Sequence, residues 1–79
     1  LSMALGREYE KLHPLVAYVP VQQRLPLLNA LRAMSPGQRA ELGVLAQRTP
    51  PQERQALRDE LLATPAAQRD AWLVRKLGE

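Results

Sequence analysis

Ser35-Pro36-Gly37-Gln38-Arg39-Ala40-Glu41-Leu42-Gly43-Val44-Leu45-Ala46-Gln47 is a helix with its start written out. Ser35 suits the N-cap, where a hydroxyl accepts a hydrogen bond from a free N–H of the first turn. Pro36 follows at the first helical position, where a missing N–H costs nothing. Gln38 stands at the third, within reach of the cap's own N–H, so the four residues form a capping box. Leu42, Leu45 and Ala46 then share one face. The spacing predicts a helix over 36–47.

The same recipe extends in both directions. Arg39 has counterparts at Arg24, Arg54 and Arg69, fifteen residues apart, each directly after Gln or Glu. Three residues beyond each comes a large apolar side chain: Leu27, Leu42, Leu57 and Trp72. Thr49-Pro50-Pro51-Gln52 and Thr64-Pro65-Ala66-Ala67 read as two further starts with Thr as the cap. They predict helices over 50–62 and 65–77, with Gly78 as the stop. Their inward residues are expected to be Leu57, Leu61 and Leu62, then Ala71, Trp72, Val74 and Leu77.

Upstream, Pro20 has no side-chain cap before it, and Pro26 interrupts the unit. The helix there is expected to begin at Leu25-Pro26 and run to Ala33. Residues 3–12 read as a helix behind Ser2, with Met3, Leu5, Tyr9 and Leu12 inward. Pro14 then kinks or restarts it through Leu15–Val19. The expected fold is all-α, a compact bundle of four to five short helices built from a degenerate fifteen-residue helix–turn unit. Short turns should pair consecutive helices as antiparallel hairpins. Duplication and reuse of one helix-start recipe explain the period equally well.

Seventy-nine residues make one small domain or a piece of a larger protein, with a thin core. The absence of cysteine excludes disulfides and thiolate metal sites. The net charge of +3 is spread among acids, with no basic tail. No apolar run approaches the ~18–20 residues of a membrane span. The opening Leu1-Ser2-Met3-Ala4 is not an intact signal peptide, so the compartment stays open, with the cytoplasm slightly favoured.

Residues for catalysis are hard to assemble. His13 is the only histidine, which leaves a metal without its usual ligand set. Ser2 and Ser35 are the only serines, and Ser35 is committed to a cap, so a hydrolase triad has no nucleophile to spare. No glycine-rich phosphate loop occurs. The expectation is therefore no enzyme, no cofactor and no metal.

The periodic arginines stand near helix starts, which attract anions, making Arg39 and Arg69 the candidate anion contacts. The competing account has each arginine bonding carbonyls at the end of a neighbouring helix, or pairing with Glu41, Asp59, Glu60 or Asp70. For partner binding the candidates are the apolar stretch Leu15, Val16, Tyr18 and Val19, together with Trp72 as a possible aromatic anchor.

Met34-Ser35-Pro36-Gly37-Gln38-Arg39 resembles the L-T-x-x-Q signature of small helical periplasmic stress chaperones and metal sensors, although that family's long helices are absent. Thr64-Pro65-Ala66-Ala67-Gln68-Arg69-Asp70-Ala71-Trp72-Leu73 is similar to linkers that precede carrier domains in modular polyketide synthases. No Asp-Ser-Leu occurs, so the chain is not itself a carrier. The functional expectation is a protein–protein interaction or targeting module that presents an apolar helix face, with another protein or a second copy as partner. The alternatives are a docking or linker domain of a multienzyme, and a module for anionic membrane or nucleic acid.

Overall fold

The computed structural model describes residues 10–79. Its helices are α1 (His13–Val16), α2 (Val21–Ala33), α3 (Pro36–Arg48), α4 (Arg54–Ala63) and α5 (Arg69–Leu77). Single 3-10 turns over Pro51–Glu53 and Ala66–Gln68 lead into α4 and α5. No strand occurs among the described residues. The fold is an all-α bundle of 32 × 25 × 22 Å. Most of the helix expected over 3–12, with Met3, Leu5 and Tyr9, lies outside the described residues; Glu10 and Lys11 are helical, and Leu12 turns into α1. Pro14 occupies the first turn of α1, so the helix restarts there.

With their 3-10 turns included, the four long helices begin at residues 21, 36, 51 and 66, fifteen apart. Met34, Thr49 and Thr64, the residues that end α2, α3 and α4, keep the same step, and each donates a backbone N–H to the carbonyl three residues back, at 3.2–3.3 Å. α5 ends one residue sooner, at Gly78. Ser35 caps α3 as expected: its hydroxyl accepts from the Gln38 N–H at 3.1 Å, and the Gln38 side chain accepts from the Ser35 N–H at 2.9 Å.

Thr49 and Thr64 do not cap. The true counterparts of Ser35 are Pro50 and Pro65, so each threonine stands one residue too early. Their hydroxyls instead donate backwards, to Leu45 O and Glu60 O at 2.7 Å, and close the preceding helix. A proline N-cap has no side-chain acceptor to offer. Those two helices open instead as 3-10 turns, with Glu53 and Gln68 N–H donating to Pro50 and Pro65 O.

α2 begins at Val21, four residues before the expected start, and Pro26 lies inside it. The proline removes one N–H and crowds the carbonyl of Gln22. Both residues face solvent, where water can take that carbonyl. Leu27, Ala30 and Leu31, buried beyond the proline, hold the helix in place.

The expected hairpins do not form. The tightest packing between helices joins α3 to α5, followed by α1 with α4 and α2 with α4. Consecutive long helices approach each other less. The cause is the link: Met34 and Ser35 are both extended, at ψ 151° and 161°, and carry the chain away from α2 rather than back along it. Each helix therefore finds its partner one unit further on.

Leu12, Leu27, Leu42, Leu57 and Trp72 are all buried, so the apolar period reaches one unit further upstream than the arginines do. Leu15, Val19, Leu31, Met34, Leu45, Ala46, Leu61 and Leu73 complete the core. Each fully buried leucine contributes about 1.5–3 kcal/mol relative to exposure. Of the residues expected inward in α5, Ala71 and Val74 face solvent and Leu73 takes their place. The Trp72 indole N–H donates to Glu60 Oε1 at 3.3 Å, and Lys76 pairs with Glu60 Oε2 at 3.3 Å, fastening α5 to α4. Gly43 admits the upstream chain: a Cβ there would stand 3.1 Å from Lys11 Cβ.

Candidate functional site

Three of the four periodic arginines hold corners. Arg24 Nε donates to Val19 O at 3.3 Å, Arg39 Nη1 to Met34 O at 2.6 Å, and Arg54 Nε to Thr49 O at 3.2 Å. Each reaches the carbonyl five residues back. Arg39 Nη1 also donates to Leu31 O at 3.1 Å. A cation at the carbonyl end of a helix has favourable electrostatics as well as hydrogen bonds. Arg69 differs: its Nε is buried and has no hydrogen-bond partner among the described residues. Ion pairs among the described residues join Lys76 to Glu60 and to Glu79.

The apolar candidates divide by burial. Leu15, Val19 and Trp72 belong to the core, whereas Val16 is 37% exposed and Tyr18 98%. Tyr18 also has φ 58°, alone among the described non-glycine residues in a positive value. For a bulky L-residue this backbone costs about 1–2 kcal/mol. Such cost concentrates where a ligand or partner is held.

Tyr18 leads into an exposed stripe that was not expected from the sequence. Val21, Leu25 and Leu28 follow each other at helical spacing on the outer face of α2, and Val21 and Leu25 are 71% and 63% exposed. Starting the helix at Leu25-Pro26 hid the pattern, because it needs Val21 to be helical. These residues lie within 11–40, a stretch with Lys11, Arg24, Arg32 and Arg39 but no Asp or Glu. Among the described residues one carboxylate bonds to α2 from outside: Asp59 on α4 accepts from Gln23 at 2.7 Å and from Gln55 at 2.9 Å. Those two hydrogen bonds hold its carboxyl below the usual range.

Beside the stripe, α1 and the start of α4 enclose a half-open cleft of about 240 Å3. His13, Pro14, Ala17, Tyr18, Pro51, Arg54 and Arg58 line it. Arg58 is 5% exposed and is the buried charged residue of the described chain. Its Nη1 donates to Leu15 O at 3.0 Å and its Nη2 to Gln55 Oε1 at 2.9 Å, while Nε has no partner. Burial lowers its pKa, an effect that nearby Asp59 opposes, yet a guanidinium remains charged throughout the ordinary pH range. The signal in the sequence was the pair Arg54 and Arg58, four apart on one helix face and flanking the inward Leu57. Among the described residues no cluster of His, Asp or Glu has the arrangement of a metal site.

No known protein family, no curated protein sequence and no solved structure significantly matches this chain.

Proposed function

We propose that the chain is a non-catalytic docking module, and that the outer face of α2 receives an amphipathic helix with acidic side chains along its flank. The observation that carries this reading is Val21, Leu25 and Leu28 in one exposed stripe, within thirty residues free of Asp and Glu. Aliphatic side chains at i, i+4 and i+7 are what helix-to-helix recognition uses. The surrounding arginines add charge complementarity, which selects the partner more than it strengthens binding. A contiguous exposed apolar patch of this kind marks an interaction surface on a small protein. The fifteen-residue step supports the further reading of the chain as a short helical repeat, whose alternate packing leaves α2 with an outward face.

A random-peptide display selection against the folded chain tests the proposal. Enriched peptides should carry apolar residues at helical spacing with Asp or Glu beside them. Leu25→Glu should weaken the selected peptides at least about tenfold, since a buried hot-spot contact is worth roughly 2 kcal/mol or more. An exposed site tolerates that change within about 0.5 kcal/mol of stability, so the fold is retained. Selection of a pool without acidic residues, or indifference to Leu25→Glu, would overturn the reading. Steeply salt-dependent binding to phosphatidylserine vesicles or to duplex DNA, with no peptide selected, would replace it with the electrostatic alternative.

A further inference from the structure

We infer that the cleft between α1 and the start of α4 is a carboxylate-binding subsite, and that its occupant is an acidic side chain of the segment docked on α2. The assignment of the occupant rests on the docking reading; the chemistry of the cleft does not.

Three nitrogen-bearing side chains, His13, Arg54 and Arg58, line the cleft, and no Asp or Glu does. Arg58 is buried without an ion-pair partner among the described residues, and its Nε is unsatisfied. Asp59, its sequence neighbour, is engaged by Gln23 and Gln55 through Oδ1. Arg54 spends Nε on Thr49 O, leaving its two terminal nitrogens without a hydrogen bond among the described residues. A guanidinium fork with two free N–H donors matches a planar carboxylate.

The other walls, Pro14, Ala17 and Pro51, are apolar. They lower the local dielectric on that side of the cleft and strengthen whatever charge pairing occurs there. A volume of about 240 Å3 accommodates the end of a side chain but not a large ligand. Tyr18 belongs both to the rim of the cleft and to the turn just before Val21, so one bound segment can reach both surfaces. Its left-handed backbone aims the ring outward at that junction, where it is almost wholly exposed. A segment lying along α2 with an Asp or Glu near one end meets the apolar stripe and the cleft together.

The cleft is tested first without any peptide, by NMR titration of the full chain with sodium acetate, against sodium chloride and inorganic phosphate at constant ionic strength. Saturable shifts of the Arg54 and Arg58 Nε–H signals and of the Tyr18 amide are expected with acetate. They should vanish in Arg54→Gln and in His13→Glu, the second being an exposed position that leaves the core alone. Leu25→Glu should leave them unchanged. Absence of saturation with acetate, or saturation by phosphate alone, overturns the carboxylate assignment.

The occupant is tested by a double-mutant cycle on a selected acidic peptide. Arg54→Gln should weaken the peptide about five- to tenfold, but have no such effect on the peptide whose acidic residue is replaced by its amide. Acetate binding with no coupling to any acidic position of the peptide overturns the occupant. Acetate binding together with indifference of the peptide to Leu25→Glu overturns the docking reading and leaves the cleft standing.

Discussion

Arg39→Met and Arg69→Met should differ sharply, although the two positions match in the fifteen-residue spacing. Arg39 donates to two main-chain carbonyls, Met34 O at 2.6 Å and Leu31 O at 3.1 Å, from a half-buried position. Hydrogen bonds to a charged group contribute about 1.5–3 kcal/mol each when protected from water. Partial exposure places this pair toward the low end, and water can reach the released carbonyls, so a loss of about 2–3 kcal/mol is expected. For a chain of this length total stability is about 4–12 kcal/mol. The loss corresponds to a fall in Tm of roughly 10–20 °C. Methionine keeps most of the aliphatic stem, which confines the comparison to the guanidinium. Arg69 makes no such bond among the described residues and has a buried Nε without a partner. Its replacement should cost less than about 0.5 kcal/mol or raise stability slightly, because an unsatisfied buried donor is removed. Urea titrations followed by circular dichroism, with thermal melts beside them, measure both variants. Equal destabilisation would refute the argument, because it would mean that the position in the period, not the carbonyl bonds, sets the energy.

Two further outcomes follow from the corners and from Asp59. Ser35→Ala should lose about 1 kcal/mol by urea titration. It removes the hydroxyl that accepts from the Gln38 N–H, while the backbone N–H at 35 can still donate to the Gln38 side chain. Thr49→Ser, which keeps the backward hydroxyl bond, should lose less. For Asp59 the folded pKa lies below the unfolded value, so its contribution is present above the ordinary carboxylate pKa and is lost as pH falls through the folded one. Thermal melts of the wild type should therefore decline toward low pH more than those of Asp59→Asn, and parallel curves would remove Asp59 from the link between α2 and α4.

Much of the fold was legible because its signals are local. The box at Ser35 and Gln38, the large apolar residues three beyond each arginine, and the helix over 36–47 required nothing from distant parts of the chain. The errors arose where a choice depended on tertiary packing. Thr49 and Thr64 look like caps in isolation, and only the phase of the helix that follows shows each to be one residue early. Pro26 reads as a boundary until Leu27, Ala30 and Leu31 are known to be buried, a gain that outweighs one missing hydrogen bond. Among the site candidates, Val16 and Tyr18 are exposed whereas Leu15, Val19 and Trp72 are core, a division that composition cannot make. The cleft joins residues 13–18 to residues 51–58, and the sequence holds no local sign of that juxtaposition. Val21, Leu25 and Leu28 could have been read from spacing alone once the helix was allowed to run through its proline.

The corner clamps also bear on how the chain folds. Each joins an arginine to the carbonyl five residues back, with a proline or serine between them, and the second carbonyl that Arg39 holds is only eight residues back. Closing so short a loop takes about 10–100 ns, far less than bringing distant helices together. The turns can therefore form and break many times before α3 meets α5. The slow step is the meeting of alternate helices, whose contacts span a whole intervening unit. Substitutions at the corners should then alter how fast the chain folds less than substitutions at Leu42 on α3 or Trp72 on α5, both buried in the common core.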